Sequence, residues 1–434
     1  MRDLCAYQNI AFSTPEKTRK IQEMQLQEHI AYCIEHSPFY SKALKNIRAE
    51  CSNITVDQLS KLPFTEKSDI EQNNDDFCAV TSDKIVDIVL SSGTTGKPIR
   101  MMYTDYDLKR LAYNEGESFA GCGLTSNDTV LLTCTMDRCF VAGLAYFLGI
   151  RNVGAAAIRN GHNSLESHMQ ITKQMNPTAL IGVPSFLRKL GLYLKENGMN
   201  PAKTAVSKLV CIGEPLRGEN LELLKVGADL QSIWQAQAFS TYASSEIVTT
   251  FCECTAQQGG HLLPDLAIVE IIDENGTVLS PGNTGEIVVT PMAVEGMPLI
   301  RFKTGDVSFL IDEQCSCGRF SPRLGPILGR KKQMMKIKGT TLYPQAIYST
   351  LEEIEAINDY YVTVSGESEL SDIIEITISV NDASLTADMI QDKLRARLRV
   401  KPEIIIADSE TIKQKVYDPK SRKPIRFIDK RQVK

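Results

Sequence analysis

The densest chemistry in the chain lies in Ser91-Ser92-Gly93-Thr94-Thr95-Gly96-Lys97-Pro98, where hydroxyls, two glycines and a lysine share eight residues. Such a loop can wrap phosphate oxygens with backbone amides and hydroxyls while Lys97 adds positive charge. Residues 85–90 form a β-branched run and residues 99–103 are again apolar and extended, so the glycines fall between two strands. Pro98 and the position of the lysine exclude the Walker A pattern, which ends Gly-Lys-Ser/Thr and opens a helix. A hairpin loop without a ligand is the simpler reading of any glycine-rich turn. Hydroxyls crowded beside a lysine favour phosphate.

A second constellation is built from thiols. Nothing in residues 1–20 has the charged-then-apolar build of a signal peptide, so the twelve cysteines are expected to be reduced. Cys5, Cys33, Cys51, Cys78, Cys122, Cys134, Cys139 and Cys211 are scattered and read as small core residues. The other four make two Cys-x-Cys pairs, Cys252/Cys254 and Cys315/Cys317. Cys254 and His261 flank Gly259-Gly260, and Cys315 and Cys317 straddle Ser316 ahead of Gly318-Arg319. Two thiolates on one short loop and a Cys/His pair on another can close a tetrahedral zinc site with every position filled by protein, which is a structural role. Cys252 is the alternative to His261 as fourth ligand. Ordinary reduced cysteines are the alternative to a metal.

These groups need a large scaffold, and 434 residues supply one with two or three domains. A net charge of −5 gives no reason to expect a nucleic-acid partner. The longest apolar stretch, 141–150, is too short to span a bilayer and holds two glycines, so a cytoplasmic protein with no membrane association is expected. Thr14-Pro15-Glu16 reads as a helix start, with Ile21, Met24, Ile30 and Ile34 as its buried stripe and Ser37-Pro38 as its end. Apolar runs at 129–134, 178–183 and 209–212 alternate with helical segments at 143–150, 164–175 and 218–226, the pattern of a parallel α/β core. Runs at 266–272, 285–290 and 308–311, joined by turn residues, make a β-rich subregion of hairpins. Beyond the basic segment 328–333 come a helix from Tyr343-Pro344 to about Glu355, strands at 360–365 and 373–380, a helix from Thr386 to about Leu398 and a third strand at 403–407. The expected fold class is α/β, with a large domain over 1–330 and a small α+β domain over 331–434. One continuous fold is the alternative.

The octapeptide resembles the phosphate loop of the acyl- and aryl-acid adenylating superfamily, whose members activate carboxylates with ATP. Within it the chain resembles the phenylacetate–CoA ligases, which Ser37-Pro38-Phe39-Tyr40, Leu62-Pro63-Phe64-Thr65-Glu66-Lys67 and Tyr103-Thr104 also fit, and the likeness runs from about residue 15 to the C-terminus. Carboxylate activation needs the triphosphate held, its charge neutralised, the nucleoside oriented and the acid set in line with the α-phosphorus. By resemblance, Ser91 to Lys97 take the first task. Tyr242-Ala243-Ser244-Ser245-Glu246 is similar to the family's aromatic-x-x-Ser/Thr-Glu motif, in which Tyr242 would pack on adenine, Ser245 reach a phosphate and Glu246 hold Mg²⁺ as a hard oxygen ligand. Ala243 replaces the usual glycine. Ile212-Gly213-Glu214-Pro215 resembles a Gly-Gly-Glu-Pro turn bordering adenine, with Ile212 in place of the first glycine. Arg301-Phe302-Lys303-Thr304-Gly305-Asp306 resembles the motif whose aspartate accepts hydrogen bonds from both ribose hydroxyls.

Gly329-Arg330-Lys331-Lys332 resembles the hinge motif, with Arg330 on the nucleotide and Lys332 at the pivot, where closer relatives carry aspartate. The resemblance implies a mobile small domain, whose face near Lys338-Gly339 would line the route of the coenzyme A thiol after rotation. Lys420-Ser421-Arg422-Lys423-Pro424-Ile425-Arg426 resembles a terminal Gly-Lys-x-x-Arg element. Lys423 would bridge carboxylate and α-phosphate and Arg426 keep the arginine position; Arg422 stands where glycine is usual and Lys420 is a rival. Phe140, in the segment 140–144, and Phe239 would line an aryl pocket, and each is equally at home in a core. Subgroup relatives show a Cys…Gly-x-His and Cys-x-Cys-Gly-Arg layout like the one around Cys254, His261, Cys315 and Cys317. Together these imply an ATP-, Mg²⁺- and coenzyme A-dependent ligase acting on a small-molecule carboxylic acid, with an aryl acid such as phenylacetate the best guess. Delivery of the acyl group to a carrier protein or amine is an alternative. A nucleotide-binding sensor with degraded catalysis is another, for which Ile212, Ala243 and Arg422 speak. A homodimer, the commonest assembly of soluble oligomers, is one expectation.

Overall fold

The computed structural model describes residues 9–48, 53–91, 99–337, 340–368, 371–382, 384–417 and 425–431. Ser92 to Pro98, Lys338, Gly339, Lys420 and Lys423 therefore lie outside the described residues, as do Cys5 and Cys51. The chain divides into two compact units, Met1–Thr304 with Ser308–Ile327, and Gly305–Val307 with Leu328–Lys434.

In the first unit, helix α1 (Pro15–His36) starts where the Thr14 hydroxyl accepts from the Lys17 amide and Pro15 takes the first turn. It buries Leu26, Ile30, Cys33 and Ile34, whereas Met24 of the expected stripe faces outward. Strands β1 (Ile85–Ser91) and β2 (Ile99–Thr104) pair antiparallel with Ser91 opposite Ile99, so the hydroxyl-rich loop does join two strands. Thr104 then caps helix α2 (Asp105–Gly121) through a reciprocal bond with Asp107.

The central layer alternates as expected: β3 (Thr129–Leu132), α3 (Val141–Val153), β4 (Ala156–Arg159), α4 (Leu165–Met175), β5 (Ala179–Gly182), α5 (Pro184–Glu196), β6 (Lys208–Cys211), α6 (Lys225–Trp234) and β7 (Gln237–Ser244). The helix anticipated at 218–226 is a correction. Leu221 adopts φ 67°, Arg217 bridges Leu223, and the Glu222 carboxylate accepts from the Asn220 amide, so a tight loop precedes α6. Strands β8 (Thr249–Glu253) and β9 (Gly260–His261) continue the layer antiparallel. After β10 (Ala267–Ile272), β11 (Gly285–Pro291) and β12 (Phe302–Ser308), strands β13 (Leu310–Ile311) and β14 (Arg323–Leu324) rejoin it. The nine-stranded order is β13-β14-β9-β8-β7-β6-β5-β3-β4. Strands β10 and β11 are an antiparallel hairpin; the strand expected at 308–311 begins six residues earlier, at Phe302.

The second unit holds β15 (Gly329–Arg330), β16 (Met335–Ile337), β17 (Thr340–Leu342), α7 (Pro344–Glu352), β18 (Ile357–Ser368), β19 (Ser371–Val380), α8 (Ala387–Leu398), β20 (Glu403–Ile406), α9 (Ser409–Val416) and β21 (Phe427–Asp429). Its main sheet runs β20-β19-β18-β21 over a core that includes Ile347, Val362, Ile376 and Leu394. Helix α9 and strand β21 are additions to the expected pattern, and α7 stops three residues short of Glu355. Among the described residues no helix is long and apolar enough to cross a membrane.

Four expected core thiols, Cys33, Cys122, Cys134 and Cys211, are buried, while Cys139 is exposed. Helix α2 carries an unusual load: Asp107, Arg110, Asn114 and Glu115 are all buried. Burial pushes the Glu115 carboxyl up to about 8, against a hydrogen bond from Thr250 that lowers it. The folded state thus holds this proton well above the pH at which an unfolded glutamate releases it. Its contribution to stability is full below about pH 4.5 and declines as pH climbs through about 8. Glu115→Gln should therefore gain stability over the native chain progressively between those limits, which urea midpoints at pH 5, 7 and 9 would measure.

Candidate functional site

The motif that resembles a ribose-binding element is also a clamp. Arg301, fully buried, forks onto Glu270 at 2.8 and 3.0 Å and donates to the carbonyls of Ser60 and Leu62 at 3.0 and 2.8 Å. Its guanidinium lies 4.1 Å from the centre of the Phe64 ring. Thr65 bridges the same strand, its amide donating to Arg301 O and its carbonyl accepting from Lys303 N. Tyr40 closes the arrangement: its hydroxyl lies 2.7 Å from Thr65 Oγ1 and accepts from the Ile300 amide. Three separate motifs, around Tyr40, Thr65 and Arg301, thus fasten one another.

That fastening delivers Lys67. Its ammonium sits 2.7 Å from Glu246 Oε1, and Ser91 Oγ donates to the same oxygen at 2.8 Å. Glu246 is buried, in the turn between β7 and β8. Burial opposes its ionisation, but Lys67 and then Ser91 outweigh it and hold the carboxyl below its usual range. A charged carboxylate, backed by cation and hydroxyl, suits a hard cation shared with phosphate oxygens. The structure therefore brings together two predicted residues, Ser91 and Glu246, and adds Lys67, which sequence reasoning had assigned no role. The signal available was the Glu66-Lys67 pair directly after Leu62-Pro63-Phe64-Thr65.

Around this carboxylate, Tyr103 donates its hydroxyl to Ser245 O at 2.8 Å. The Tyr242 ring stacks on Phe251 across the β7–β8 pair, 6.2 Å between centres. Gly213 has φ 73°, a conformation its neighbours could not share without strain. The Glu214 carboxylate caps helix α5, accepting from Ser185 N at 3.0 Å and Ser185 Oγ at 2.8 Å, so its charge is spent on the protein. Pro215 is partly exposed beside it. Phe140 precedes α3 and is partly exposed, whereas Phe239 is fully buried among Leu132, Ile181 and Val210. In the second unit, Asp306 and Arg330 face each other across an antiparallel pair, 3.4 Å from Arg330 Nε to Asp306 Oδ1, with Arg330 largely exposed. Lys332 lies in a helical turn whose carbonyl accepts from Arg431 at 3.4 Å. Arg426 is spent on Glu352 and the Tyr360 hydroxyl, at 3.2 and 2.9 Å.

The thiol constellation closes into a cage. One ligand atom from each of Cys254, His261, Cys315 and Cys317 lies within 4.8 Å of all the others. The Cys254 and Cys315 sulfurs are 3.7 Å apart, and Cys317 Sγ is 3.5 Å from His261 Nε2. Sulfurs bound tetrahedrally to zinc stand about 3.8 Å apart, so the donor set and its spacing fit that ion. Ser321 Oγ, 3.3 Å from His261 Nδ1, turns the imidazole so that Nε2 faces the thiols. Burial, then Arg319 and Arg323, lowers the imidazole to about 3, so it is neutral, as a ligand must be. Gly318, at φ 94°, makes the tight turn after Cys317. Cys252 is excluded from the cage: its sulfur lies 3.4 Å from that of Cys122 instead.

Strand β8 joins the two centres. Phe251 and Glu253 point to one face, Phe251 against Tyr242 and Glu253 paired with Arg217 at 2.5 Å. Thr250 and Cys252 point to the other, toward Asn114, Glu115 and Cys122 of the α2 region.

The profile of the AMP-binding enzyme family matches residues 18–294, and that of the AMP-binding enzyme C-terminal domain matches residues 339–431. A phenylacetate–coenzyme A ligase of Thermus thermophilus is 30% identical over 374 residues, 85% of this chain and 82% of that protein. One from Pseudomonas putida is 25% identical over 87% of this chain and 85% of its own. Among solved structures, 2-hydroxyisobutyryl-CoA ligase in a postadenylation state superposes with a TM-score of 0.83 at 19% identity, covering 96% of this chain and 90% of that one. The chain belongs to the AMP-binding enzyme family, with that adenylating superfamily's large N-terminal α/β domain and small C-terminal domain.

Proposed function

We propose that the chain is an AMP-forming acid–CoA ligase, and that its acid is an aryl acid of the phenylacetate type. The observation that carries this is the buried, ionised Glu246 on which Lys67 and Ser91 converge from distant parts of the chain. The two relatives named phenylacetate–coenzyme A ligases support the substrate class and the thiol acceptor. In the first step a carboxylate oxygen attacks the α-phosphorus of ATP and pyrophosphate leaves. In the second the coenzyme A thiolate attacks the acyl carbon and AMP leaves.

Ser91 to Lys97, with Lys67, hold the triphosphate. Tyr242 and the backbone of Gly213, Glu214 and Pro215 border adenine, Ser245 reaches a phosphate, and Asp306 and Arg330 take the ribose and nucleotide. Glu246 would hold Mg²⁺, which would supply charge neutralisation at the phosphates. Lys423 is the catalytic lysine by resemblance, Lys332 the pivot between domains 1–330 and 331–434, and Lys338 and Gly339 line the thiol's route. Phe140, partly exposed, shapes the aryl side, whereas Phe239, sealed in the core, does not line it. The Cys254, His261, Cys315 and Cys317 cage holds structural zinc, in keeping with a chain that works in the reducing cytoplasm.

ATP–pyrophosphate exchange should appear only when an acid is supplied, and aryl acids should outpace short aliphatic ones; exchange without acid would sink the proposal. Glu246→Gln should lower that exchange by about a hundredfold or more. Lys67→Met removes the cation that depresses the Glu246 carboxyl, so the acidic limb of the exchange rate should move to higher pH, which a pH profile would show. Metal analysis should find one zinc per chain, and Cys315→Ser should lose it with a fall in Tm of about 5 °C or more.

A further inference from the structure

Arg110 is a costly group to bury. Its side chain is wholly buried in α2, yet among the described residues no carboxylate bonds it directly; Nε donates to Met292 O at 2.9 Å and Nη2 to Leu266 O and Thr249 Oγ1 at 2.6 and 3.0 Å. Nη1 donates to the carbonyl of Val248. Burial lowers its pKa to about 10, with Asp107 and Asp265 opposing, so the guanidinium stays charged at neutral pH. Val248 is itself costly: buried, β-branched and held at φ 50°, a region such residues rarely enter. Both costs fall on one short loop, residues 245–248, that links β7 to β8 and carries Glu246.

One turn along α2, Asn114 grips the next residue pair. Its Oδ1 accepts from the Thr250 amide at 2.6 Å and its Nδ2 donates to the Thr250 carbonyl at 3.3 Å. The side-chain amide thereby substitutes for a neighbouring strand where β9, paired only with Cys252 and Glu253, does not reach. The far end of the Glu246 loop is thus bound to α2 at three successive residues, Val248, Thr249 and Thr250.

We propose that Arg110 is a positioning residue for the Glu246 carboxylate. Its fork fixes the Val248 end of the loop and so sets where that carboxylate can meet a magnesium–ATP complex. This rests on Glu246 being the Mg²⁺ ligand, as proposed above. A loose loop would let the carboxylate stray from the place where Lys67 and Ser91 meet it at 2.7 and 2.8 Å, and metal binding would then have to reorder it.

The test is calorimetric binding of a non-hydrolysable ATP analogue to the full chain across a Mg²⁺ series, with acid-dependent exchange alongside. In Arg110→Lys and Arg110→Gln, the Mg²⁺ concentration for half-maximal analogue binding should rise about tenfold, while metal-free affinity stays within about twofold, as expected when a ligand's supporting partner is removed. Exchange should recover at saturating Mg²⁺. Glu246→Gln reports on the underlying assignment: if it leaves the Mg²⁺ series unmoved, that assignment fails. If Glu246→Gln shifts the series and a folded Arg110 variant does not, the positioning role fails. Should neither Arg110 variant fold by circular dichroism, Val248→Gly, which φ 50° accommodates, reads the same loop. A shift of about threefold is expected from the added backbone freedom, and a series superposing on the native one would overturn the role.

Discussion

The placing of Lys67 against Glu246 depends on one buried cation, Arg301. Removing a guanidinium from water is costly, and the cost is offset only if its donors are met. Here Glu270 takes one edge of the fork, the Ser60 and Leu62 carbonyls take the other and the Phe64 ring covers the face. Because the acceptors come from two separate stretches, 60–62 and Glu270, satisfying one side chain fixes the segment 60–66 against strands β10 and β12. Lys67, the next residue, then has little freedom except to meet Glu246. The value of such a pair is less in net stability than in permitting one arrangement of the chain.

Much of this was legible in the sequence. The alternating strands and helices followed from apolar runs bounded by turn residues, and the two-strand setting of the hydroxyl loop from its flanks. The cage was legible because cysteine and histidine carry their chemistry in their identity, and His261 rather than Cys252 completes it. What escaped notice were cations with structural meaning. Lys67, Arg110 and Arg301 look like surface residues when met in order, since burial is decided by partners more than a hundred residues away. Helix α6 was misplaced because Gly218 to Glu222 offered helix-forming acids but not the loop geometry that Leu221 adopts. Strand β21 was missed because three residues carry no detectable period.

The buried polar groups fall into two kinds. Arg217 with Glu253 and Arg301 with Glu270 are paired ions. Arg110 and Glu115 on α2 are met by carbonyls and hydroxyls instead. Among the described residues no group bonds Glu115 Oε2, and with its carboxyl pushed up to about 8 the side chain is neutral at pH 7. Of the buried ionisable groups on α2, the Arg110 guanidinium is the one that lies against the loop bearing Glu246.

Strand β8 has a consequence for how this chain can vary. Its alternate side chains serve two masters, Tyr242 and Arg217 on one face, Asn114 and Cys122 on the other. A single-residue slip of β8 (Thr249–Glu253) would exchange those faces, aiming Phe251 at the helix and a cysteine at the arginine. Within β8, a change of length keeps both sets of contacts only in steps of two, unless a bulge absorbs the odd residue.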